Sequence, residues 1–202
     1  MPPALLQCKW HPGNEQQQRA FFLPKLPSPF PARMKSEMLG YAEQRLLGFS
    51  MQQMFNVVAD VEQYEHFVPW CIRSTTHDHH TQGFRCTFTV GFPPVMERYS
   101  SDVTICEPNL VKSVSTETKL FRHLVTTWRF SPGYDDNPDT CTLDYKVSFQ
   151  FHSALYSHLA QLFFDQVVHT MVDSFLRHAQ TLYGHPTIAH GQKKVLHSGL
   201  SH

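Results

Sequence analysis

The chain has 202 residues, with 17 Lys+Arg balanced by 17 Asp+Glu for a formal net charge of +0. That balance leaves no global basic field to recruit nucleic acid. No uninterrupted apolar run reaches the length that spans a bilayer, so any membrane contact has to be peripheral. The length suffices for one domain of ordinary size with tails.

Residues 1–40 read as a Pro-rich, basic leader. Pro2, Pro3, Pro12, Pro24, Pro27, Pro29 and Pro31 oppose regular structure across it. Through Lys35 the only acid is Glu15, against Lys9, Arg19, Lys25, Arg33 and Lys35. A basic, acid-poor N-terminus is half of a mitochondrial transit signature, but Ser is scarce and no amphipathic helix fits. A leader without an address is the alternative. Phe21-Phe22-Leu23 is an apolar patch that could touch a membrane or cover the domain.

The domain is expected over 41–184. A first strand falls within Tyr41 to Phe49. Ser50 then caps a helix, with Gln53 completing a Ser-x-x-Gln box, and Met51, Met54, Phe55 and Val58 form its apolar stripe. A short turn of helix follows from Asp60 to Tyr64, and Phe67-Val68-Pro69-Trp70-Cys71 closes the segment. His77, His79 and His80 read as a loop, with no ligand spacing for a metal.

Strands come next. Phe84, Cys86, Phe88, Val90 and Phe92 alternate with polar residues or Gly, the period of a half-buried strand. Val95 to Cys106, Leu110 to Thr118 and a run through Leu124, Thr126, Trp128 and Phe130 continue the pattern. Cys141, Leu143, Tyr145, Val147, Phe149 and Phe151 form the cleanest alternation. From Ser153 an apolar stripe (Leu155, Leu159, Leu162, Phe163, Val167, Met171, Phe175, Ala179, Leu182) predicts a helix of about 30 residues, roughly 45 Å long, stopped by Gly184 and Pro186. Residues 185–202 read as a disordered polar tail.

This is an α+β order: an antiparallel sheet that must bury its apolar face against one long helix. A curved sheet gripping a helix can leave an apolar space suited to a greasy ligand. The 16 Phe fit an aromatic cavity or simply an aromatic core. The five Cys form no Cys-x-x-Cys pair and read as reduced thiols. No Gly-x-Ser-x-Gly, phosphate loop or His-Glu-x-x-His occurs, so no catalytic or metal residue is assigned. Glu97 is either a cavity carboxylate, a candidate acid or base with Tyr99 in a cyclase-like reading, or a charge facing water. Trp70, after the rigid Pro69, is either a flat wall for a planar head group or a core Trp.

Tyr41-Ala-Glu-Gln-Arg-Leu-Leu-Gly-Phe, Phe67-Val-Pro-Trp-Cys, Gly91-Phe-Pro-Pro-Val-Met-Glu-Arg-Tyr, Leu120-Phe-Arg-His-Leu, Trp128-Arg-Phe-Ser-Pro-Gly and Leu162-Phe-Phe-Asp-Gln-Val-Val together resemble the mitochondrial coenzyme Q-binding proteins of the START-like (polyketide cyclase/dehydrase) superfamily. The resemblance runs from Tyr41 to Gly184. It implies a helix-grip fold: a curved antiparallel sheet around a long C-terminal helix, enclosing a hydrophobic cavity. It further implies ubiquinone or a related polyisoprenoid as bound ligand, with no other cofactor, and a carrier or chaperone without catalysis. The expected place is peripheral, on the matrix side of the inner mitochondrial membrane, serving ubiquinone-biosynthesis or respiratory-chain proteins. Related bacterial proteins linked to ribosomes keep an interaction module as an alternative.

On that reading, Pro69 and Trp70 sit near the head group. Phe88, Val90, Tyr145, Val147 and Phe149 line the sheet side, and Leu162, Val167, Met171 and Phe175 the helix side. Phe21, Phe22, Phe163 and Phe164 are the candidate membrane contacts. Which apolar residues face a cavity and which merely pack is not readable from periodicity.

Overall fold

The structure is a computed structural model and describes residues 37–92, 95–119, 121–152, 164 and 168–200. All of them belong to the compact unit Met34–His202. The leader through residue 36, and with it Phe21 and Phe22, lies outside the described residues.

Strand β1 (Leu39–Leu47) opens the fold. Helix α1 (Met51–Ala59) follows, a 3-10 turn (Val61–Gln63) and the short α2 (Tyr64–Phe67). The Ser-x-x-Gln spacing does what it predicts: the Ser50 Oγ accepts from Gln53 N at 3.2 Å, and the Gln53 Oε1 accepts from Ser50 N at 2.9 Å. Two otherwise orphaned donors are thereby satisfied at the helix start. Met54, Phe55, Val57 and Val58 are buried by this helix.

The strands β2 (Cys71–His80), β3 (Gly83–Phe92), β4 (Val95–Cys106), β5 (Leu110–Thr118), β6 (Phe121–Pro132) and β7 (Cys141–Phe151) then form a meander. β1 returns beside β7, and β8 (Lys194–Leu200) lies beside β1. The described strands make one eight-stranded sheet, ordered β2-β3-β4-β5-β6-β7-β1-β8, with antiparallel neighbours. β7 shows why it forms: Cys141, Leu143, Tyr145, Val147, Phe149 and Phe151 are all buried, while the residues between them are not. Period-two alternation and one-sided burial are the same fact.

Helix α3 (His169–Tyr183) packs on the inner face of this sheet, burying Val172, Ser174, Phe175, Leu176 and Ala179. Gly184, at φ 83°, ends it by donating its N–H to the Gln180 carbonyl at 3.0 Å. That left-handed conformation costs Gly little and other residues more. The stripe expected N-terminal to α3, including Leu162, Phe163 and Val167, falls outside the described residues. Leu182, expected on the buried stripe, is instead 55% exposed. It lies in the last turn, beyond the reach of the sheet.

Two further expectations are corrected. His77, His79 and His80 are not in a loop: β2 runs through His80, with His77 opposite Arg85. No metal-ligating cluster exists among the described residues. The tail is also not a disordered polar segment throughout. The Thr187 N–H donates to the Gly48 carbonyl at 2.9 Å and the Gly191 N–H to the Leu46 carbonyl at 2.8 Å. β8 then pairs with the edge of β1 that β7 leaves open. Unpaired edge groups on β1 are the physical reason, because a buried strand needs its backbone partners.

The tail also places His190 over Phe49, with ring centroids 5.5 Å apart, where its Nδ1 accepts from Gly48 N at 3.2 Å. On α3, His178 stacks flat on Phe67 at 4.0 Å. Burial pushes both rings below the ordinary 6.5, and Arg45 adds to the effect at His190. The unfolded chain therefore binds these protons before the folded one does, so acidification draws the equilibrium toward unfolding. The melting temperature is expected to fall as pH drops below about 6.5, and H178Q/H190Q should flatten that part of the profile. An unchanged slope in the double variant would refute this origin.

Candidate functional site: an aromatic cavity between sheet and helix

Between α3 and the concave face of the sheet lies a cavity of about 120 Å³. β3 contributes Phe88 and Val90, β4 Tyr99 and Val103, and β5 Val111 and Ser113. β6 contributes Leu124, Thr126 and Trp128, and β7 Tyr145 and Val147. Val168, Met171 and Phe175 face them from the helix side, and Val61, Tyr64, Val68, Pro69 and Cys71 close the end near α2.

Rigid aromatic rings hold the hollow open. Phe175 reaches from α3 between Tyr64, Phe67 and Trp128, at centroid distances of 5.1, 5.0 and 4.5 Å. Trp128 in turn packs on Tyr145 at 4.5 Å, and Phe88 on Tyr99 at 5.3 Å. Tilted and edge-on pairs of this kind are favourable beyond their buried area. The α2 end is pinned separately: Tyr64 donates its hydroxyl to the Val58 carbonyl at 2.5 Å. The buried Ser74 hydroxyl on β2 donates to the Glu62 carbonyl and accepts from Glu65 N, both at 3.3 Å.

The wall is apolar with a few polar points. The hydroxyls of Tyr99, Tyr145, Ser113 and Thr126 and the Trp128 N–H make no hydrogen bond among the described residues. Burial pushes the Tyr99 and Tyr145 phenols well above the usual range, with Cys86 and Cys71 adding at Tyr99 and Glu43 adding at Tyr145. Both stay protonated and able to donate. Burial likewise pushes the Cys71 thiol up to about 11, which keeps it a poor nucleophile. The chemistry on offer is hydrogen-bond donation into an apolar space.

Behind Tyr145 sits a buried polar cluster not anticipated from the sequence. Glu43, 1% exposed, stands opposite Tyr145 in the β1–β7 register. It accepts a 2.5 Å hydrogen bond from the Tyr41 hydroxyl. Arg45 Nη2 lies 3.4 Å from Glu43 Oε1, and Arg45 Nη1 donates to Asp173 Oδ1 on α3 at 2.7 Å. The cluster ties helix to sheet. The alternation Tyr41-Glu43-Arg45 was its available signal, since it puts the three side chains on one face.

The residues named from the sequence divide. Pro69, Phe88, Val90, Tyr145, Val147, Met171 and Phe175 line the cavity. Trp70 does not. Its φ of 64° belongs to a tight loop whose carbonyl accepts from Gly91 N at 3.0 Å, and its ring packs on the core from outside the cavity. Trp128 supplies the flat wall instead. Phe149 is fully buried against Phe151 and Phe164, past the cavity's end. Phe164 is 6% exposed, against Tyr41 and His169, so it is a core residue and not a membrane contact. Glu97 is half-buried on β4 and absent from the lining. Leu162, Phe163 and Val167 fall outside the described residues.

With this geometry in view, the comparisons place the chain in a class. Residues 47–176 match the family model described as polyketide cyclase / dehydrase and lipid transport, and the chain belongs to that family, among its COQ10-like START-superfamily members. The chain is 46% identical over 175 residues to the Xenopus laevis protein named coenzyme Q-binding protein COQ10 homolog B, mitochondrial, covering 80% of this chain and 72% of that one. It is 43% identical over 148 residues to the Drosophila melanogaster protein named coenzyme Q-binding protein COQ10, mitochondrial, covering 73% of this chain and 61% of that one. Among solved structures, the Zhui aromatase/cyclase of Streptomyces sp. R1128 superposes with a TM-score of 0.61 at 11% identity. That match covers 71% of this chain and 94% of that one, and it shows the fold alone.

Removing one partner of the buried cluster should leave the others uncompensated. Glu43→Ala is expected to cost about 3–5 kcal/mol in denaturant unfolding, whereas Tyr145→Phe, whose hydroxyl has no hydrogen-bond partner among the described residues, should cost well under about 1 kcal/mol. Equal costs would contradict this division between scaffold and site.

Proposed function

We propose that the chain binds ubiquinone or a related polyisoprenoid quinone between sheet and helix, and that it acts as a carrier or chaperone and not as an enzyme. One observation carries this: an apolar, aromatic hollow whose free polar groups are protonated donors. A quinone head group is a flat ring bearing acceptor oxygens, the complement of Tyr99, Tyr145 and the Trp128 N–H. At about 120 Å³ the hollow is of the order of the roughly 150 Å³ apolar cavity that takes up a benzene-sized ring, so a substituted quinone ring enters it only as the side chains of the wall give way. The tail then runs on from the ring-sized space. Each CH₂ it removes from water contributes about 0.8 kcal/mol, which supports affinity without any catalytic group.

The names of the curated relatives support the same ligand and a mitochondrial setting. No helix among the described residues is long and apolar enough to cross a membrane, which is compatible with peripheral attachment at the matrix face of the inner membrane. The role that follows is delivery of quinone to respiratory-chain or ubiquinone-biosynthesis proteins.

A short-tailed ubiquinone analogue titrated into the protein should quench Trp128 fluorescence, and W128F should lose most of that signal. Y99F and Y145F are each expected to weaken binding about three- to tenfold, the worth of one hydrogen bond. E97Q should bind as the parent does. Full affinity in Y99F/Y145F would remove the head-group assignment, and an absence of saturable quenching in the parent would remove the ligand.

A further inference from the structure

One end of the sheet carries an exposed apolar pair at the rim of the cavity. Met96, 67% exposed, stands opposite Gly91 across the β3–β4 pair. Ile72, 49% exposed, sits at the bulge between Cys71 and Arg73 in β2 and lies over Gly91. A Cβ on Gly91 would lie 2.5 Å from Ile72 Cδ1, so the missing side chain is what lets Ile72 lie over Gly91, the residue opposite Met96. Behind this pair, on the same outer face, comes a cationic row. Arg73 and Arg98 flank Thr89 from the two neighbouring strands, both exposed and in no ion pair among the described residues. Two residues of antiparallel strand separate Arg98 from Met96, about 7 Å. The adjacent inward-facing residues, Cys71 and Val90, line the cavity together with Pro69.

We infer that this end of the sheet is the surface by which the protein docks on an anionic lipid bilayer, with Ile72 and Met96 entering the acyl boundary and Arg73 and Arg98 meeting the lipid phosphates. The inference deepens the carrier reading and rests on it for its purpose, since it sets the α2 end of the cavity against the lipid from which a quinone would be drawn. Charge and spacing select the partner. Apolar groups at interfaces sit about 5–10 Å deep, which brings cations about 7 Å behind them to headgroup level. An apolar protein partner would offer the arginines no such layer of phosphates. Glu97, between Met96 and Arg98, takes the opposite face by alternation and does not oppose the contact.

The test uses the full chain and vesicles of phosphatidylcholine with or without phosphatidylglycerol, read by co-sedimentation. I72S/M96S should partition at least about tenfold more weakly on both compositions. R73Q/R98Q should lose roughly 30-fold on the anionic vesicles alone, and that loss should shrink at high salt. Met96→Trp should show a blue shift in fluorescence on vesicle addition, a readout that does not depend on losing affinity. Partitioning like the parent's in either double variant, or no blue shift at position 96, overturns the inference. Quinone titration of the same variants keeps the two claims apart. Weakened partitioning with intact quenching supports docking, whereas failure of quenching in the parent bears on the ligand and leaves the vesicle result standing.

Discussion

The insertion of Phe175 into an aromatic groove is the contact on which the rest depends. One ring from α3, 1% exposed, meets Tyr64, Phe67 and Trp128 and so sets the distance between helix and sheet. Aromatic side chains are stiff, with few rotamers to collapse into a neighbouring space. With that spacing held, the smaller residues around it, Val90, Val103, Val111 and Val147, cannot reach across, and a hollow remains. A closely packed interior tolerates such a void at a cost, which a ligand with apolar surface would relieve.

The second anchor is electrostatic. Arg45 bridges Glu43 on its own strand and Asp173 on α3, while Tyr41 holds the other Glu43 oxygen. Buried ion pairs add little net stability over well-packed apolar groups but penalise any arrangement that separates them. In this fold that penalty resists sliding of α3 along β1, and sliding would move Phe175 out of its groove. Glu43 therefore belongs to the scaffold of the site, although it carries the most conspicuous charge near it.

Much of the architecture was legible because one-sided burial writes itself into period. The alternation of β7, the capping box at Ser50 and the stop at Gly184 each have a local cause that sequence displays. β2 and β8 had no such display, because edge strands meet solvent on more sides and keep no clean pattern; Val195, Leu196 and Leu200 of β8 are all exposed. The site was legible by face but not by depth. Val147 and Phe149 occupy the same face of β7, yet Val147 lines the cavity and Phe149 is sealed behind it. Only the position of the helix decides between them. Trp70 and Trp128 differ for a similar reason, since a positive φ turned the first away while a plain strand position kept the second inward.

On the proposed function, the hollow holds a polyisoprenoid quinone. The most direct measurement is organic extraction of the purified full chain, followed by mass spectrometry of the extract. Ubiquinone or its precursors are expected in near-stoichiometric amount. An extract that is empty or holds phospholipid alone, from protein that also takes up no added ubiquinone, would contradict it.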